Sequence, residues 1–185
     1  MSLRPSVSSL SIAALREVMD VPDQWQRLQE RLPEIFTSED SSKLAGQFLA
    51  HGGFRSYLGN ARQRPPERDF LAILVNALAQ AQIKSSLDFD DPLFSNLLVK
   101  AQYDRLSEPF FRAFRNWFLN GRPMLGSHID SNWCYYFYLR NAELPDFLAA
   151  ISDTPVLSHV YQAESTIAWI NEQREQQLDL WCFVN

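Results

Sequence analysis

Residues 67–83, ERDFLAILVNALAQAQI, carry the strongest helical pattern in the chain. Their apolar side chains, at positions 70, 71, 73–75, 77, 78 and 81, surround most of the circumference of a helix. A helix that is apolar on several sides must be buried on several sides. We therefore predict a buried central helix over about 67–83, with the other elements packed around it.

Two short stretches near the C-terminus have the character of strands instead. Residues 132–139, NWCYYFYL, form a run too short and too aromatic for a favoured helix. Residues 178–184, LDLWCFV, place Leu, Leu, Cys and Val at alternate positions, as in a strand with one face towards a core. We expect these two strands to pair in a small sheet that is covered by helices.

Helical spacing also extends through much of the remaining chain. Ser11 can cap a helix that carries Ile12, Leu15 and Met19, while residues 6–11 are compatible with a short strand. Further helices are expected around 22–32, 42–51, 92–102, 107–120, 143–151 and 164–176. The prediction is an α+β fold, predominantly α-helical, with about seven to nine helices in a single globular domain over residues 1–185.

Composition narrows the class of protein. With 46% hydrophobic and 21% charged residues, a chain of 185 residues can bury one core. Its net charge of −5 argues against general binding to nucleic acid or anionic membranes, which requires clustered Lys and Arg. No stretch approaches the length of a membrane span, and the first residues lack the apolar core of a secretory signal. A cytoplasmic protein without membrane association is the expectation.

Cysteine chemistry is not indicated. Cys134 and Cys182 lie far apart, each after a tryptophan in an apolar run, without the spacing of zinc or redox motifs. They are expected to be buried, reduced thiols. Nucleophile elbows, phosphate loops and dinucleotide fingerprints are missing from the sequence, so we expect no cofactor.

A histidine and a carboxylate come just before the aromatic strand. His128 and Asp130 are two residues apart, so an extended backbone would point both side chains the same way, towards one metal or substrate. His51 or His159 could join them only through tertiary folding. The alternative is that His128 and Asp130 hydrogen-bond their own loop and start the strand.

Two further groups are candidates for binding. Arg112 and Arg115 lie three residues apart on the polar side of the predicted aromatic helix, where they could hold an anionic group or simply form local ion pairs. Tyr136 and Tyr138 share one strand face and would mark a partner site if that face of the sheet were open. The acidic loop at Asp88, Asp90 and Asp91 lacks the pattern of a calcium loop and instead predicts a helix N-terminus.

Two hypotheses about function remain. The leading one is a non-enzymatic protein-binding or regulatory module, like small bacterial immunity or accessory factors, whose partner is another protein. It rests on the acidic charge, the abundance of aromatic residues and the lack of a catalytic motif. The alternative is a small metal-assisted hydrolase that uses His128 and Asp130, with Arg112 or Arg115 orienting an anionic substrate.

Overall fold

The computed structural model describes residues 4–19, 21–50, 65–102, 121–122, 134–154, 157 and 159–184. Eight α-helices lie in these ranges, together with four strands. The helices are α1 (Ile12–Met19), α2 (Pro22–Glu30), α3 (Leu32–Ile35), α4 (Glu39–Ala50), α5 (Pro65–Gln80), α6 (Pro92–Gln102), α7 (Leu144–Ser152) and α8 (Ala163–Glu175). The strands are β1 (Pro5–Leu10), β2 (Ser85–Ser86), β3 (Tyr135–Leu139) and β4 (Asp179–Val184).

All four strands form one antiparallel sheet in the order β2-β1-β4-β3. The two central strands therefore come from opposite ends of the chain. Cys182 of β4 lies between Val7 of β1 and Phe137 of β3. The predicted pairing of the two C-terminal strands is confirmed, and β1 and β2 are added to it.

Side chains alternate across the sheet and divide the core into two halves. On one face Trp181, Tyr136 and Tyr138 pack with helices α1 to α5, which we call the N-terminal layer. On the other face Cys182 and Phe137 pack with α6, α7 and α8, which we call the C-terminal layer. The sheet thus lies between two helical layers. It occupies the central position that we predicted for the helix over 67–83.

The local signals in the sequence explain where several helices begin. Ser11 Oγ accepts a hydrogen bond from the Ala14 amide at 3.2 Å, as expected for the cap of α1. Asp91 Oδ1 accepts from the amides of Leu93 and Phe94 at the start of α6. The predicted central helix corresponds to α5, in which Leu74 and Val75 are fully buried. The predominantly helical α+β fold is therefore confirmed.

Some predictions are corrected or lie outside the described ranges. The sequence pattern predicts no strand between α5 and α6, but Ser85 and Ser86 pair with β1. The segment expected as a helix over 107–120 lies outside the residues that the structure describes. Both cysteines are buried free thiols, as predicted. No helix in the described ranges has the length and apolar character needed to cross a bilayer.

Candidate protein-binding surface

Of the residues predicted from the sequence to form a catalytic, metal or partner site, the structure describes Tyr136, Tyr138 and His159. His51, Arg112, Arg115, His128 and Asp130 lie outside the described ranges. In those ranges, no group of three or more His, Cys, Asp or Glu side chains is arranged to hold a metal ion.

The two tyrosines of β3 are part of the core. Tyr136 and Tyr138 are each 2% exposed, because the N-terminal layer covers the face of the sheet that they share. The ring of Tyr136 stacks on Trp181 with centroids 4.5 Å apart. The guanidinium carbon of Arg122 lies 4.3 Å from the centre of the Tyr138 ring. The open sheet face that would have made this pair a partner site is therefore not present.

Two other aromatic side chains are exposed at the opposite helical layer. Phe89 is 59% exposed in the loop that joins β2 to α6, and Tyr161 is 77% exposed in the turn before α8. Phe89 and Gln162, the residue after Tyr161, line one depression of about 260 Å³. His159 is exposed in the same turn as Tyr161. The loop over 87–91 thus meets the turn over 159–162 at Gln162, and we call the two segments together the acidic aromatic surface.

The charge of this surface is negative. Asp88 and Asp90 are exposed and line the depression, and Glu164 is exposed in the first turn of α8. Among the described residues that line the depression there is no Lys or Arg. Carboxylates next to an exposed aromatic ring attract cations through Coulomb and cation–π interactions.

The loop that carries Phe89 is anchored to the sheet and to α6. The Leu87 amide donates to the Val7 carbonyl, and the Asp90 amide donates to the Pro5 carbonyl, both at 3.0 Å. Asp90 has a φ of 65°, and its Oδ1 accepts from Ser95 Oγ at 2.8 Å. Aspartate tolerates this left-handed conformation better than most residues. Phe89 is therefore presented to solvent by a loop with fixed ends.

Asp91 joins the loop to helix α8, which follows the turn. It is 5% exposed, and its Oδ2 accepts from the Thr166 hydroxyl of α8 at 2.7 Å while its Oδ1 caps α6. The turn has its own constraint, since Gln162 adopts a φ of 63° and its carbonyl accepts from Ser165 Oγ at 2.8 Å. A residue other than glycine is strained in this left-handed backbone conformation, which persists only when the surrounding structure enforces it.

The same carboxylate affects the cysteine beneath it. Burial, and to a smaller extent the charge of Asp91, raise the pKa of the Cys182 thiol well above its ordinary value. Cys182 therefore stays protonated near neutral pH and is a poor nucleophile. The acidic aromatic surface therefore lies over a packed interior that offers no reactive thiol.

Thr166→Val should lower the free energy of unfolding by about 1–3 kcal/mol, because it leaves a buried carboxylate oxygen without its hydroxyl donor. Valine keeps the shape of threonine, so packing changes little. Ser165→Ala is the matched control, since Ser165 is exposed and its hydroxyl donates to the nearby Gln162 carbonyl. Urea unfolding of the three proteins measures the difference. Equal stabilities of Thr166→Val and Ser165→Ala would show that the Asp91 contact is not stabilising.

The sequence contained a signal for this surface. A large aromatic residue between two aspartates, as in Asp88-Phe89-Asp90, is poorly placed to enter a core. Tyr161 carried no comparable signal, because Val160 and Ala163 beside it suit a buried segment equally well. No protein-family model, curated protein or solved structure matches the chain.

Proposed function

We propose that this chain is a non-enzymatic protein-binding module, and that its partner contacts the acidic aromatic surface with arginine or lysine side chains. The observation that carries the proposal is the joint exposure of Phe89 and Tyr161 on anchored turns beside exposed carboxylates. Exposed aromatic residues on rigid supports are the usual anchors of protein interfaces.

The chemistry of the surface favours a basic partner. An arginine side chain could stack on the Phe89 or Tyr161 ring while its guanidinium faces Asp88 or Asp90. The net charge of −5 would also accelerate the approach of a positively charged partner. Little ordering would be required of the loop, because its ends are already held by the sheet and by α6.

A displayed library of random peptides tests this proposal without knowledge of the natural partner. Peptides selected on the wild-type protein should be enriched in Arg and Lys, and their binding should weaken as salt rises. The double variant Phe89→Ala, Tyr161→Ala should bind them at least about tenfold more weakly, as expected for the loss of interface anchors. Asp88→Lys should weaken binding as well, because it reverses a charge at the depression.

Matched controls separate this surface from general stickiness. Leu44→Ala removes an apolar side chain that is half exposed on α4, and Asp40→Lys reverses an exposed charge on the same helix. Both should leave peptide affinity unchanged. Selected peptides that lack basic residues, or that bind the Phe89 and Tyr161 double variant as well as the wild type, would contradict the proposal.

A further inference from the structure

A separate cleft of about 390 Å³ lies on the N-terminal layer, between the turn at Arg31, helix α5, Cys134 just before β3, and Phe183 in the sheet. Its apolar wall includes Ile73 and Ala77 of α5 and Phe183 of β4. Three polar side chains, Arg31, Asn76 and Gln80, share the lining with them. A cleft of this size, mainly apolar with a few converging polar groups, has the character of a site for a small molecule.

The orientation of the Asn76 amide is fixed from behind. The indole nitrogen of Trp181 lies 3.0 Å from Asn76 Oδ1. Because an indole N–H can only donate, the atom that faces it must be the amide oxygen. Both hydrogens of the Asn76 Nδ2 group therefore remain available for other acceptors. Among the described residues, no acceptor bonds to them. Gln80 lies one helical turn further along the same face of α5.

Arg31 adds a positive charge to the cleft. Its Nε donates to Glu34 Oε2 at 3.2 Å, in a contact that is largely exposed to solvent. In the described part of the chain its two terminal nitrogens have no partner. A guanidinium edge of this kind can bind a carboxylate with two parallel hydrogen bonds.

We propose that this cleft binds a small carboxylic acid that carries an apolar ring or chain. The carboxylate contacts Arg31 and the amide hydrogens of Asn76, and the apolar part lies against Ile73, Ala77 and Phe183. The cleft belongs to the N-terminal layer, whereas the acidic aromatic surface belongs to the C-terminal one. The inference is therefore independent of the proposed function, and either can fail alone.

Phenylacetate and its neutral analogue phenylacetamide are suitable probes. Titration of the ¹⁵N-labelled protein with phenylacetate should shift the side-chain amide signals of Asn76 and Gln80 and the indole signal of Trp181. The protein has 5 tryptophans, and the indole signal that disappears in Trp181→Phe is the one from Trp181. Phenylacetamide should bind at least several-fold more weakly, because it lacks the charge that Arg31 recognises.

Two pairs of variants locate the site. Arg31→Gln should weaken phenylacetate binding about tenfold, the value of one charged hydrogen-bonding contact, while Arg27→Gln, on the exposed side of α2, should not. Ala77→Leu fills the cleft and should abolish binding, whereas Ala149→Leu, exposed on α7, should leave it intact.

Three results would overturn the inference. The first is the absence of shifts at these three side chains with phenylacetate at about 10 mM, where even a weak ligand of this size is bound. The second is equal affinity for phenylacetate and phenylacetamide. The third is unchanged binding in a folded Ala77→Leu protein, with the fold checked by the unshifted backbone signals far from α5.

Discussion

Arg122→Met is expected to lower the free energy of unfolding by about 3 kcal/mol, because it removes the buried partner of an ion pair that is largely shielded from solvent. The guanidinium of Arg122 makes two hydrogen bonds to the Glu143 carboxylate, at 2.6 and 3.0 Å. It also donates to the Tyr138 carbonyl at 2.9 Å and covers the ring of that tyrosine. Methionine keeps the apolar stem but removes these three hydrogen bonds, although the Arg140 amide still donates to Glu143 Oε2 at 2.7 Å.

The position of Arg122 adds to the expected effect. Its backbone amide donates to the Tyr136 carbonyl, so residues 121–122 run along the outer edge of β3. Gly121 has a φ of 80°, and a Cβ there would lie 2.7 Å from the Tyr136 carbonyl oxygen. Only glycine allows this close approach without a shift of the backbone. The ion pair therefore holds a chain segment against the edge of the sheet.

Urea unfolding of Arg122→Met, Arg122→Lys and Arg27→Met measures this contribution. Lysine keeps the positive charge but cannot make the bidentate pair of hydrogen bonds to Glu143. It should therefore restore only part of the stability. Arg27 is exposed on α2, and its replacement should cost less than about 0.5 kcal/mol, as for most surface changes. If Arg122→Met were no more destabilising than Arg27→Met, the ion pair would contribute nothing to the fold.

Trp181→Ala is expected to have the largest effect of the variants considered, about 3–5 kcal/mol, as for other large aromatic residues removed from a core. The side chain of Trp181 is 1% exposed on a central strand. It stacks on Tyr136 and donates to Asn76, so one side chain links β4 to β3 and to α5. Typical domains have only about 5–15 kcal/mol of stability in total, so the variant should be close to unfolding at 37 °C.

Trp181→Phe separates packing from hydrogen bonding. Phenylalanine retains most of the ring area but cannot donate to Asn76, so the expected loss is smaller, about 1–2 kcal/mol. Thermal and urea unfolding, followed by far-ultraviolet circular dichroism, give both values. A loss of less than about 1 kcal/mol in Trp181→Ala would contradict the view that the N-terminal layer and the sheet share one core at this residue.

The two binding proposals concern different residues and can be tested separately. Variants at Phe89 and Tyr161 act on exposed side chains over the C-terminal layer, and neither residue belongs to a core cluster. Variants at Arg31 and Ala77 act on the cleft in the N-terminal layer. A change at one site should therefore leave binding at the other intact, which is expected for positions that share no contacts.

Local patterns in the sequence determined most of the described helices and the two C-terminal strands. The periodicity of α5, the cap at Ser11 and the alternation over 178–184 each follow from neighbouring residues alone, because helices and half-buried strands have fixed periods. The aromatic run over 135–139 was likewise recognisable as a strand, since aromatic side chains favour the pleated geometry.

Only the tertiary structure decided which surfaces are free and which strands join the sheet. β1 contains Ser6, Ser8 and Ser9, which have little strand preference, and it becomes a central strand by pairing with β4 at the far end of the chain. The Ser9 hydroxyl donates a hydrogen bond there to the side-chain oxygen of Gln173, which is 164 residues away in sequence. Tertiary packing likewise buries Tyr136 and leaves Phe89 exposed. Burial depends on which helical layer covers a side chain, and the layers are assembled by contacts between residues distant in sequence.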